Sequence, residues 1–96
     1  MKFSTFVNQR KQGVLTAYNP MGQKKSEEFN QSANNKLEKE LSQLGYSYTK
    51  INGEYNSLPE EAFQVERITL ENLKSLGQKY NQVSVIWGGK TIKLSE

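Results

Sequence analysis

Few residue types that could do chemistry occur in this chain. Its 96 residues include no Cys and no His, and no Asp occurs either, so all ten acidic residues are Glu. Without thiolates or imidazoles, the common nucleophile–base pairs and nearly all transition-metal sites are excluded. We therefore expect no catalytic residues, no metal ligands and no cofactor, and a binding protein rather than an enzyme.

The stretch best suited to binding is residues 16–26 (TAYNPMGQKKS), between a predicted strand and a predicted helix. Backbone N–H groups at a helix start are unpaired, and the helix dipole favours negative charge there. Gly22 would let the backbone approach a ligand, Lys24 and Lys25 add positive charge, and the Ser26 hydroxyl can donate. These features predict a phosphate-binding loop that is not a Walker loop, because the glycine spacing differs. The alternative is an ordinary strand–helix loop with exposed lysines.

Two asparagines, Asn30 and Asn34, lie one turn apart on the helix that follows. Asn is a poor helix former, so two in register are unusual on a plain surface. We expect them either to present amides to a base or ribose or to belong to a solvated flank of the helix.

Further candidates lie near predicted strand ends and in the second helix. A carboxylate of Glu60 or Glu61 could bind a base or ribose, although adjacent strand residues point to opposite faces and cannot form a catalytic pair. Both could also be plain surface acids. Tyr18 or Trp87 could stack on a base or simply pack. Gly77, inside a helix, implies close packing or ligand access.

Two helices must position these residues. Ser26 is the predicted N-cap of the first, and Gly45 follows its end. Thr69 is the predicted cap of the second. The apolar positions predicted to face the core are Phe29, Ala33, Leu37, Leu41 and Leu44 in the first helix, and Leu70, Leu73, Leu76 and Tyr80 in the second.

Strands are predicted at 14–18, 46–51, 62–68 and 83–87, with a C-terminal hairpin strand at 90–94 and an edge strand or packed arm at 3–7. Turns are predicted at 8–13 and at Asn52-Gly53, and residues 54–61 are expected to be irregular. The resulting order is β-α-β-β-α-β, the split βαβ order of ferredoxin-like folds. We therefore predict one α+β domain over residues 1–96. Two helices would pack on one face of a mainly antiparallel sheet, with short extra strands at the termini.

Charge is uneven along the chain. The net charge is +3, yet residues 1–25 hold five basic residues and no acid. A total this small disfavours bulk nucleic-acid binding but suits a small anion or an acidic protein. No apolar run has the length of a signal peptide or a membrane span, so we expect a cytoplasmic protein, in the host cytoplasm if phage-encoded.

The chain resembles domain of unknown function family 3293, which occurs in bacteria and their viruses, over roughly residues 14–88. The element Thr-Ala-x-Asn-Pro at residues 16–20 is the most specific part of the likeness. The resemblance implies that shared polar positions form a ligand pocket; these are Thr16, Asn19, Pro20, Ser26, Asn30, Asn34, Glu61 and Gln78.

The predicted function is non-catalytic binding of a small phosphate-bearing ligand, either a nucleotide or a nucleotide-derived signal. By analogy, a phage-type anti-defence protein would sequester such a host immune signal. The expected ligand contacts are Thr16, Tyr18, Asn19, Gly22, Lys24, Lys25, Ser26, Asn30, Asn34, Glu61 and Gln78. The alternatives are an inhibitor or adaptor that binds a host protein through the basic N-terminal region or a sheet edge, and an enzyme with Glu61 as base. A binder this small is expected to be a homo-oligomer.

Overall fold

Five strands and two helices form the part of the chain that the computed structural model describes, residues 9–55 and 58–94. The elements are β1 (Arg10–Leu15), a short 3-10 turn (Pro20–Gly22), α1 (Glu27–Gln43), β2 (Tyr48–Tyr55), β3 (Leu58–Thr69), α2 (Leu70–Lys79), β4 (Ser84–Trp87) and β5 (Lys90–Lys93). The strands form one antiparallel sheet in the order β2-β3-β1-β4-β5. The first four strands have the ferredoxin-like order, so the predicted α+β class is confirmed. The predicted C-terminal hairpin is confirmed as well, whereas the strand or arm predicted at residues 3–7 lies outside the described residues.

Both helices pack on the same face of the sheet. Leu37 and Leu41 of α1 and Leu73 of α2 join Phe63 of β3 in one buried cluster. Helix α2 lies so close to β1 that a Cβ on Gly13 would stand 2.8 Å from Leu73 Cδ2. The core therefore occupies one face of the sheet, and the other face carries no described helix.

The predicted helix ends are confirmed because their signals are local. The Ser26 Oγ accepts a hydrogen bond from the Phe29 amide at 3.1 Å, and the Thr69 Oγ1 accepts one from the Asn72 amide at 3.1 Å. Gly45 ends α1 with a φ of +84°, a conformation that favours glycine. Neither helix of the described residues is long and apolar enough to cross a membrane.

The strand boundaries differ from those predicted. Asn52 and Gly53 form no turn, because they lie inside β2 and pair with Glu61 and Glu60 of β3. The two strands pair eight residues each, so residues 54–55 and 58–61, which were predicted to be irregular, are also sheet. Residues 10–13 belong to β1 rather than to a turn, and β1 ends at Leu15. Cross-strand pairing has overridden the local turn preferences.

The buried stripe of α1 is rotated from the predicted one. Phe29 and Leu44 are 49% and 56% exposed, whereas Asn30 and Asn34 are 4% and 0% exposed. Each step of four residues advances about 40° beyond a full turn of 3.6 residues. Two such steps carry Phe29 well away from the face of Leu37. The prediction that Phe29 and Leu44 face the core is therefore wrong, and so is the solvated-flank interpretation of the two asparagines.

Candidate functional site

Asn34 joins three parts of the molecule. Its Oδ1 accepts a hydrogen bond from the Ala17 amide at 2.8 Å, and its Nδ2 donates to the Glu61 carbonyl oxygen at 2.8 Å. The Nδ2 also lies 3.3 Å from the Glu61 Oε1. Helix α1 is thereby fastened both to the segment that leaves β1 and to β3.

Thr16 reinforces this junction from the end of β1. Its hydroxyl donates to the Glu61 carbonyl oxygen at 2.6 Å and accepts from the Tyr18 amide at 3.1 Å. At the end of β1 this side-chain hydroxyl therefore makes the hydrogen bonds to β3 and to the Tyr18 amide, and the chain then turns away from the sheet.

Asn30 and Asn19 form a second junction one helical turn earlier. The Asn30 Oδ1 accepts from the Asn19 amide at 2.8 Å, and its Nδ2 donates to the Asn19 Oδ1 at 2.9 Å. The same Asn19 oxygen accepts from the Lys25 amide at 2.9 Å. Asn19 itself has a φ of +44°, a left-handed conformation that Asn tolerates better than most residues. We call Thr16, Asn19, Asn30 and Asn34 together the amide clamp.

The amide clamp is saturated by internal contacts. In the described part of the chain, no buried side-chain nitrogen or oxygen lacks a hydrogen-bond partner. The amides of Asn30 and Asn34 therefore serve the loop and β3, rather than being held out toward a ligand. Five of the predicted ligand contacts lie together, and their contacts hold the loop between β1 and α1; they are Thr16, Asn19, Asn30, Asn34 and Glu61.

The loop between β1 and α1, residues 16–26, also uses most of its own backbone N–H groups in hydrogen bonds within the protein. The amides of four loop residues donate within the protein, in the pairs Met21 to the Asn81 oxygen, Gly22 to the Asn19 oxygen, Gln23 to the Pro20 oxygen and Lys25 to the Asn19 side chain. The Ser26 hydroxyl caps α1 instead of facing outward. The loop therefore presents lysine charge rather than a row of free N–H groups.

A cleft of about 270 Å³ lies on the sheet face away from the helices, beside the amide clamp. Its apolar floor comes from four strands and consists of Val14, Ile51, Ala62 and Ile86. Polar residues also line it; they are Thr16, Asn19, Glu54, Glu60, Gln82 and Ser84, with Gly22 beside them. An apolar floor with a few polar groups is the usual composition of a small-ligand site.

Glu60 is the acidic group of β3 that lines this cleft beside the amide clamp. Burial raises the pKa of its carboxyl, and the hydrogen bond from the Asn19 Nδ2 at 3.1 Å partly opposes that shift. Glu61 instead contacts the helix side through Asn34. The two neighbouring carboxylates thus point to opposite faces, as alternation along a strand requires. The residue suited to receive a ligand's N–H or O–H group is Glu60, whereas Glu61 was the predicted contact.

Tyr18 is buried instead of being free to stack on a base. Its hydroxyl donates to the Glu27 carboxylate at 2.9 Å. Burial, together with that hydrogen bond and the nearby glutamates, raises its pKa to about 12. Tyr18 therefore packs the loop against the start of α1.

Of the predicted contacts, Thr16, Asn19 and Gly22 line the cleft, and Asn30, Asn34 and Glu61 hold the adjoining loop and strand. Gln78 is exposed on α2 and does not line the cleft. Gly77 has the predicted packing role, since a Cβ there would stand 2.7 Å from Val85 Cγ1.

The floor of the cleft was missed in the sequence, although a signal for it exists. Val14, Ala62 and Ile86 occupy strand positions whose neighbours on either side face the core. A solvated sheet face normally carries polar residues at such positions. Strands β1, β3 and β4 therefore carry apolar residues on both faces of the sheet.

The described residues contain no cluster of three acidic, His or Cys side chains that could hold a metal ion. Fold and geometry define a two-layer α+β domain of ferredoxin-like strand order, with a fastened loop beside an open cleft. The chain belongs to the family described as protein of unknown function (DUF3293), whose model matches residues 15–85. No match was found among the curated proteins or among the solved structures.

Proposed function

We propose that this protein is a non-catalytic binding domain that takes a small phosphate-bearing molecule, a nucleotide or a nucleotide-derived signal, into the cleft. The observation that carries the proposal is the apolar floor together with the half-buried Glu60 carboxylate that lines the same cleft. A flat apolar group such as a base fits against aliphatic side chains. A desolvated carboxylate at its edge favours ligand N–H or ribose O–H donors.

Positive charge for the phosphate comes from the loop beside the cleft. Gly22 lines the cleft, and Lys24 and Lys25 follow it closely in the chain. The ion pairs of the described residues are Lys50–Glu38 and Lys79–Glu40, so neither loop lysine belongs to one. The Lys25 Nζ lies 5.6 Å from the ring centre of the half-exposed Phe29, which holds the charge near the loop.

The clamp supplies rigidity to this arrangement. Because its hydrogen bonds are made before any ligand arrives, binding requires little ordering of the loop, which lowers the entropic cost of association. We propose further that the protein acts in the cytoplasm, by holding a signal molecule rather than converting it.

Ligand capture tests the proposal. The purified protein is incubated with linear and cyclic nucleotides, filtered and heat-denatured, and the released molecules are identified by mass spectrometry. We expect recovery of an intact ligand. Recovery of a converted product would identify an enzyme, and the absence of any retained molecule would contradict the proposal.

A matched pair of double variants tests the role of the loop. Lys24→Ala with Lys25→Ala should weaken calorimetrically measured binding at least tenfold and reduce its salt dependence. Lys36→Ala with Lys39→Ala removes the same charge from α1 away from the cleft and should leave affinity unchanged. Equal affinity of the two double variants would rule out the loop as the phosphate site.

A second candidate is binding of an acidic host protein through the edge of the sheet. Strand β5 is an edge strand of the described sheet, and it carries exposed Lys90 and Lys93. An open edge can accept a strand from a partner. This candidate predicts a stoichiometric complex that is lost in Lys90→Glu with Lys93→Glu, and no retained small molecule. Lys2 of the basic N-terminal region lies outside the described residues.

A further inference from the structure

The sheet face away from the helices is a continuous surface across all five strands. One register row crosses it without interruption, in the order Thr49, Gln64, Val14, Ile86 and Thr91. Ile51 and Ala62 form a neighbouring pair in the next row. We call the surface made by these seven residues the outer face.

The centre of the outer face is apolar and accessible. Ile86 is 39% exposed, and Val14 and Ile51 are partly exposed. No helix among residues 9–55 and 58–94 covers them. Aliphatic side chains of three strands are thus in contact with water. Burying them against a partner would contribute a free energy of roughly 25 cal/mol for each Å² of apolar area removed from water.

Charge is divided across the outer face on either side of β1. Strand β3 carries Glu60 and Glu66 at positions that alternate with its core residues, whereas β5, on the opposite side, carries Lys93. The face is therefore acidic on one flank, apolar in the middle and basic on the other flank. Such a distribution is complementary to itself after a half-turn.

We propose that a second copy of this chain packs on the outer face, about a two-fold axis parallel to β1. This rotation lays the β3 side of one copy over the β4–β5 side of the other. Val14 then meets the partner's Val14, Gln64 meets the partner's Ile86, and the acidic flank that includes Glu60 lies on the same side as the partner's Lys93. Two sheets packed in this way stand about 10 Å apart, a distance that aliphatic side chains fill.

This dimer goes beyond the proposed function. It uses Val14 and Ile86, which also form part of the cleft floor, so the partner's sheet and a small ligand would compete for that floor. The dimer can nevertheless be tested without any ligand, so either proposal can fail while the other stands.

Sedimentation equilibrium of the full chain tests the dimer. The mass of one chain is 11.0 kDa, and we expect twice that, about 22 kDa, at micromolar concentrations. Ile86→Lys places a charge at the centre of the interface and should raise the dimer dissociation constant at least tenfold. Leu44→Lys is the matched control, since Leu44 is also a large exposed hydrophobic residue but lies at the end of α1. It should leave the dimer intact.

A charge exchange tests the direction of the axis. Lys93→Glu should weaken the dimer, and adding Glu60→Lys should restore it, because the rotation lays the acidic flank of one copy over the basic flank of the other. Circular dichroism of each variant verifies that the fold is retained. A wild-type mass of 11 kDa at the highest soluble concentration would overturn the proposal. So would equal effects of the Ile86 and Leu44 variants, or a charge exchange that fails to restore association.

Discussion

The two faces of the sheet carry similar apolar residues in opposite circumstances. On the helix face, Phe63, Val65 and Leu15 are almost completely excluded from water. On the outer face, the neighbouring Val14 and Ile86 keep part of their surface in water, and none of the described helices contacts them. Burial of the first set accounts for folding. The second set adds little to the stability of a single chain, because its side chains stay partly hydrated.

The largest expected effect comes from truncating a large apolar side chain on each of the two faces and comparing the losses of stability. Phe63→Ala should lower the free energy of unfolding by about 3–5 kcal/mol, because it leaves a cavity among residues that cannot collapse fully. Ile86→Ala, in a monomeric sample, should cost about 1 kcal/mol or less, because the side chain is already partly hydrated. Urea unfolding followed by circular dichroism measures both. Similar losses would mean that the outer face also contributes to the monomer's core.

A smaller loss is expected from opening the amide clamp, which lies where the two faces meet. Asn34→Ala leaves the buried Ala17 amide without its partner and removes a donor to the Glu61 carbonyl. An unpaired buried polar group costs about 1–3 kcal/mol. Asn35→Ala, at the next and exposed position, should change stability by less than about 0.5 kcal/mol. If both substitutions have the same effect in urea unfolding, the clamp does not stabilise the fold.

The smallest effect concerns alkaline pH and separates the two ends of α1. Burial and a glutamate partner raise the pKa of Tyr18 and of Tyr80 to about 12, above the ordinary tyrosine value of 10.0. The unfolded chain therefore loses these protons first, so stability should fall as pH rises from 10 to 12. Tyr18→Phe and Tyr80→Phe should each reduce that slope in unfolding measured at a series of pH values. Tyr46→Phe serves as the control, and a slope unchanged by all three would contradict the assignment.

Features of the fold were predicted correctly from the sequence where nearby residues determine them, and incorrectly where contacts with distant residues do. The caps at Ser26 and Thr69 were predicted because the capping side chain and its target amide lie three residues apart. The extent of β2 was not predicted, because pairing with β3 holds Asn52 and Gly53 in a strand despite their preference for a turn. The fold class survived these errors, because it depends on the order of elements rather than on their ends.

For the candidate site, the sequence singled out residues that do lie together, but not the contacts that they make. It brought attention to Asn19, Asn30 and Asn34, which do meet around one loop. Whether an amide faces a ligand or a backbone group depends on where distant segments pack, and no spacing rule contains that information. Glu60 and Glu61 show the same limit, since alternation separates their directions but does not say which face holds a cleft.

The position of β1 in the sheet has a consequence for how the chain folds. This strand comes first among the described elements, yet it lies at the centre and pairs only with β3 and β4, as in Arg10 with Thr69 and Gly13 with Trp87. The β2–β3 hairpin can form from neighbouring residues, whereas the partners of β1 in β3 lie 48 (Leu15 with Phe63) to 59 (Arg10 with Thr69) residues further along the chain. Contacts so distant in sequence slow folding. During synthesis, β1 therefore leaves the ribosome early and stays unpaired until β3 has followed it.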